Sequence, residues 1–143
     1  PALGFRIDYK GRSISISGDT IYDENLVNNS KNVDVLFHES MSIDLVNLIN
    51  KNAERIGNTM AAKVTIDIQD YHTPIPEIVQ AAQEANVGHL VFYHHLPAPR
   101  NQLMENIMYR GVDEIMDNWT ASHDGTMVIL PTDSDEIIIT SVN

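Results

Sequence analysis

The sequence predicts a mixed α/β fold of layered sheet and helix. Three observations carry that prediction: an alternating apolar pattern over residues 5–16, two buried strands that alternate with amphipathic helices, and a closing pair of short strands around a turn.

Phe5, Ile7 and Tyr9 alternate with polar residues, Lys10-Gly11 punctuates, and Ile14 and Ile16 alternate with Ser13, Ser15 and Ser17. That is a β-hairpin pattern. After Ser17-Gly18-Asp19-Thr20, residues Tyr22 to Ser30 suit a short helix with Asp23 and Glu24 in its first turn, where acidic groups oppose the helix dipole. Val33 to Phe37 reads as a buried strand that stops at His38-Glu39-Ser40. Leu45, Val46, Leu48, Ile49, Ala53 and Ile56 then recur at helical spacing until Gly57 supplies a stop. Asn58 to Asp70 is ambiguous, since Met60-Ala61-Ala62-Lys63 favours helix while Val64, Ile66 and Ile68 alternate like a strand.

Thr73-Pro74 forms an N-cap and first-turn pair ahead of the stripe Ile75, Ile78, Val79 and Ala82. Gly88 precedes the short apolar strand Leu90 to Tyr93, whose end carries His94, His95 and Pro97. Leu103, Met104, Ile107, Met108, Val112, Ile115 and Met116 make a further amphipathic helix, with the methionines on its core face. Asp124-Gly125 is a turn signal, and Thr126 to Leu130 and Glu136 to Thr140 read as the final strands. No repeat or linker marks a second domain.

Composition narrows the function. A chain of 143 residues with 43% hydrophobic and 20% charged residues suits one soluble domain. No apolar run approaches the ~20 residues needed to span a bilayer. With 9 Lys+Arg against 20 Asp+Glu the formal charge is −11, which disfavours a phosphate backbone as partner. The absence of cysteine removes disulfides and thiolate metal sites but leaves both cytoplasm and periplasm open. The opening Pro1-Ala2-Leu3-Gly4 carries no initiator Met and no signal pattern, which suggests a fragment.

The polar residues just past the strands are the functional candidates, because the carboxyl ends of strands in open α/β sheets face the functional crevice. Asp19 is either a turn residue or a metal ligand, and His94-His95 either a solvated pair or a source of imidazole nitrogen for a metal. His72 either precedes and caps a helix or donates a proton near neutral pH. Glu39 either orients such a histidine or faces water. His89 and His123 suit a strand start and a turn.

Taken in order, Gly18-Asp19-Thr20, Asp34 to Ser40, Tyr71-His72-Thr73-Pro74 and Leu90 to His94 resemble the second half of metallo-β-lactamase-superfamily hydrolases. The likeness runs from Gly4 to Leu130 and is nearest the branch containing ribonuclease Z and the arylsulfatase- and phosphodiesterase-like enzymes.

That resemblance implies a four-layer αββα sandwich in which residues 1–143 form the C-terminal half and the N-terminal half is a separate partner segment. It implies two divalent metal ions, zinc first with manganese or iron as alternatives, with Asp19 bridging them and His94 binding one. His38-Glu39-Ser40-Met41 matches the family's His-Glu-Ala-Thr loop, so His38 and Glu39 join His72 as catalytic candidates, and His72 corresponds to the proton donor. His95 falls on a position that is usually apolar.

Two features depart from the pattern: Ile16 stands where ribonuclease Z has an acidic residue, and no His-x-His-x-Asp-His motif occurs. The implied activity of the intact protein is hydrolysis of a small ester, phosphodiester or sulfate ester, with the fragment alone inactive. Two alternatives stay open: a transfer-RNA 3′-end endonuclease, and a non-catalytic half-fold that pairs with a partner chain or with a second copy as a homodimer.

Overall fold

The computed structural model describes residues 3–142. Strands β1 (Phe5–Tyr9) and β2 (Arg12–Ile16) form the expected hairpin, with Phe5 opposite Ile16 and Tyr9 opposite Arg12. Helix α1 (Glu24–Asn29) starts where the Asp23 carboxylate accepts from the Asn25 and Leu26 N–H groups. Strand β3 (Val35–Met41) lies parallel to β2, and helix α2 (Ile43–Arg55) follows, capped by the Ser42 hydroxyl. Gly57, at φ +72, ends that helix.

The ambiguous stretch is helical. Asn58 caps helix α3 (Thr59–Asp67) by accepting from Ala61 N–H, and a 3-10 turn over Ile68–Asp70 continues it. Val64 and Ile66, whose alternation imitates a strand, are both exposed, whereas Thr65 between them is buried. Helix α4 (Ile75–Glu84) begins one residue later than the Thr73-Pro74 pair suggests. Thr73 does not cap it, because its hydroxyl donates to the Thr20 carbonyl at 2.5 Å.

Strand β4 (His89–Leu96) runs parallel to β3 and is longer than its apolar run. Neither β3 nor β4 stops where the sequence turns polar: His38 to Met41 and His94 to Leu96 stay in the strands, whose ladder runs out to the pair Met41 and Leu96. The helix expected through Met116 is interrupted. Helix α5 covers Gln102–Met108, and Gly111 at φ +88 breaks it before a 3-10 turn at Val112–Glu114. A strand not foreseen, β5 (Trp119–Ala121), pairs parallel with β4. Strands β6 (Thr126–Ile129) and β7 (Ile138–Ser141) form a separate antiparallel pair.

The sheet order β1-β2-β3-β4-β5 thus combines an antiparallel edge with four strands in parallel array. One face carries the core, in which Leu36, Leu90 and Phe92 pack with Ile78, Val79 and Ala82 of α4 and with Met108 and Tyr109. The consequence is geometric. Parallel strands bring the ends of β2, β3 and β4 to one edge of the sheet, and the polar residues gather there.

Candidate metal-binding and catalytic site

Each candidate residue reaches this edge from a different segment. Gly18 adopts φ +66, and a Cβ there would lie 2.6 Å from the Leu3 carbonyl oxygen, so glycine is required in the turn that ends β2. Ser17 ties the turn to β3: its N–H donates to the Phe37 carbonyl at 3.0 Å, and its Oγ accepts from Glu39 N–H at 3.1 Å. Asp19, the next residue after Gly18, keeps a half-exposed carboxylate.

His94 arrives through a break in the β3–β4 ladder. Glu39 pairs with Tyr93 and Ser40 with His95, which leaves His94 as an extra residue on β4, at φ +45. A bulge of this kind re-aims a side chain. Here it sets His94 Nδ1 3.3 Å from Asp19 Oδ1 and the His94 ring 5.5 Å from that of His72. Asp19, His72 and His94 each offer a donor atom, and these atoms lie within 4.8 Å of one another.

Glu39 holds the loop that carries His72. Its Oε1 accepts from Thr73 N–H at 2.7 Å, while Oε2 faces His72 Nδ1 at 3.3 Å. That second contact lacks hydrogen-bond alignment, and neither atom has another partner among the described residues. Burial pushes the Glu39 carboxyl up to about 7, against the opposing pull of the Thr73 and Thr20 N–H groups. Burial pushes His72 down, partly offset by the Asp19 charge. Both shifts have the same origin, since a charged group is penalised in an apolar surrounding.

His38 stands apart from this cluster. Adjacent to Glu39 on β3, it faces the opposite side of the sheet, and its Nδ1 donates to the Glu39 carbonyl at 2.8 Å. It is fully buried, and burial lowers its pKa to about 4. His95 also turns away from the cluster, into contacts with Ser40, Tyr109 and the Ser122 carbonyl. His89 meets the Thr120 hydroxyl at 2.9 Å, and His123 approaches Glu105 at 3.3 Å. The roles of Ser40 and Tyr109 escape the sequence, because nothing local announces a bulge between two paired strands.

The donor set suits a divalent cation of the zinc type: one carboxylate oxygen and two imidazole nitrogens, converging at an open edge with Asp19 and His94 half-exposed. No helix among the described residues is long and apolar enough to cross a membrane.

No family model matches the chain. Over 98 residues, 68% of its length, it is 33% identical to a putative ribonuclease Z of Mycobacterium tuberculosis, of which the match spans 39%. Over 98 residues it is 32% identical to ribonuclease Z of Mycobacterium avium, spanning 31% of that protein. Among solved structures, the metallo-β-lactamase fold protein YhfI of Bacillus subtilis superposes with a TM-score of 0.53 at 16% identity, covering 81% of this chain and 39% of that one. The chain therefore spans less than half the length of these relatives.

One expectation is not borne out by these relatives. Net charge disfavours nucleic acid as a partner, yet the similar proteins are named ribonucleases. The charge of a segment matching 39% of such a protein does not describe the whole surface that meets a substrate. The chain is thus similar in sequence to part of ribonuclease Z, and its fold matches a portion of the metallo-β-lactamase fold.

Proposed function

We propose that the chain supplies part of the active site of a metal-dependent hydrolase that cleaves an ester-type bond. The observation that carries this reading is the convergence of Asp19, His72 and His94 within 4.8 Å from three separate segments. Asp19 and His94 would hold the metal, with zinc the preferred ion. The remaining ligands, with a His-x-His-x-Asp-His motif, belong to an N-terminal half of the same fold, which makes residues 1–143 the C-terminal half.

When bound, such ions supply Lewis-acid chemistry, activating a water for attack and screening charge that builds on the ester. The chain's own residues do the rest. Asp19 and His94, both half-exposed, orient the reacting group at the open edge. His72 points Nδ1 at Glu39, which leaves Nε2 to pass a proton to the departing oxygen. Glu39, whose carboxyl holds its proton up to about pH 7, backs that imidazole and anchors its loop through Thr73.

The substrate class is a phosphodiester, sulfate ester or similar small ester. A second reading, hydrolysis of an RNA phosphodiester, is favoured by the ribonuclease Z relatives. Turnover of bis(p-nitrophenyl) phosphate and of a 3′-extended RNA by the zinc-loaded intact protein separates the two. Under either reading Asp19→Asn and His94→Asn abolish activity; undiminished turnover in both variants would reject the site.

A further inference from the structure

We propose that His95, Tyr109 and Ser40 form a clamp that fixes the β4 bulge and thereby sets His94 beside Asp19 and His72, making His95 a positioning residue. The proposal rests on the reading of His94 as a metal ligand. It adds what holds that ligand in place.

His94 needs such a clamp. Its φ of +45 lies in the left-handed region, which is uncommon for a non-glycine residue and costs energy that the surroundings must offset. The ladder itself gives no help, because His94 has no residue opposite it on β3.

Both flanks of His94 are pinned instead. On one side, the Ser40 hydroxyl lies 3.2 Å from the Tyr93 carbonyl. On the other, His95 Nε2 lies 2.7 Å from the Ser122 carbonyl. A carbonyl only accepts, so Nε2 carries the hydrogen and Nδ1 is left as an acceptor. Nδ1 receives the Tyr109 hydroxyl at 2.5 Å, with Ser40 Oγ 3.0 Å away. The two hydroxyls are 3.1 Å apart and close the network.

The anchor is rigid. Tyr109 is buried, with its ring centroid 4.9 Å from that of Phe92 and 5.2 Å from that of Trp119. An apolar side chain at position 95 could fill the same space, but it could not fix the ring direction through both edges. His95, held at both ring nitrogens, thus helps turn an extra residue in a strand into an aimed ligand.

The experiment uses Tyr109→Phe and the double variant with Ser40→Ala, both of which retain side-chain shape. In metal-free protein, NMR reads the contact between the His72 and His94 rings and the backbone coupling that reports φ at His94. Zinc affinity is read by competition with a chromophoric chelator. Tyr109→Phe is expected to weaken the ring contact, and the double variant to lose it together with the positive φ. Zinc affinity then falls about 10- to 100-fold, on the order seen when outer partners of a ligand are removed, while amide resonances away from the β3–β4 junction stay in place. An intact ring contact and an unchanged φ in both variants would overturn the clamp. Absence of zinc binding in the unaltered protein would reject the ligand reading, and the ring contact would still decide the clamp.

Discussion

Glu39 Oε2 and His72 Nδ1 face each other at 3.3 Å inside the protein, and neither has another partner among the described residues. Glu39 is completely buried and His72 nearly so. A buried polar pair with no alternative partner makes each member depend on the other, and here one member sits in the candidate metal cluster.

Removing the carboxyl separates its two roles. Glu39→Ala leaves Thr73 N–H without its acceptor, which costs about 1–3 kcal/mol for a buried donor. Urea unfolding should show a lowered midpoint with an unchanged slope. Glu39→Gln keeps an acceptor for Thr73 and recovers much of that loss, but turnover drops about 10- to 100-fold because His72 loses its carboxyl partner. Equal turnover in Glu39→Gln and the unaltered protein would remove Glu39 from the mechanism.

His72 can be distinguished from a ligand. As a proton donor it contributes about 10²–10⁴-fold to the rate, so His72→Asn should lose that factor in kcat while zinc stays bound. Loss of zinc from the variant, read by metal analysis after dialysis, would make His72 a third ligand instead.

The two buried titrating groups on β3 give opposite pH dependences. His38 holds a proton only below about 4 in the fold, against 6.5 ordinarily, so the unfolded chain binds protons first as pH falls through that window. Stability therefore drops from pH 6.5 towards 4, by at most about 3 kcal/mol at ~1.36 kcal/mol per pH unit. Glu39, raised to about 7 from 4.5, does the reverse: its contribution is full below 4.5 and is lost as pH rises to 7. Glu39→Gln cancels the second effect. That variant should lose stability on acidification more steeply than the unaltered protein, and an equal or shallower slope would contradict the raised Glu39 carboxyl.

Gly18 makes the turn before Asp19. Gly18→Ala places a Cβ 2.6 Å from the Leu3 carbonyl at φ +66. A loss on the order of 1–3 kcal/mol follows from the backbone conformation alone, with zinc affinity falling as Asp19 shifts. A thermal midpoint equal to that of the unaltered protein would show that the turn relaxes freely.

Much of this arrangement is legible in the residues. Alternation in Phe5, Ile7, Tyr9, Ile14 and Ile16 gives the hairpin, and the stripe of Ile75, Ile78, Val79 and Ala82 gives α4, because both periods reflect one buried face. Polarity is the weaker guide to where strands end. His38 to Ser40 and His94 to His95 look like loops, yet their pairing partners, which only the fold supplies, keep them in β3 and β4. The meeting of Asp19, His72 and His94 follows from the order of loops at parallel strand ends. The bulge that aims His94 does not, since it depends on Ser40 and Tyr109, far from it in sequence.

Crystals of the protein grown with zinc, measured at the zinc absorption edge, test the central claim most directly. An anomalous peak is expected at about 2.0–2.2 Å from an Asp19 carboxylate oxygen and a His94 ring nitrogen. A zinc peak seated elsewhere, with Asp19 and His94 both uncoordinated, would contradict it.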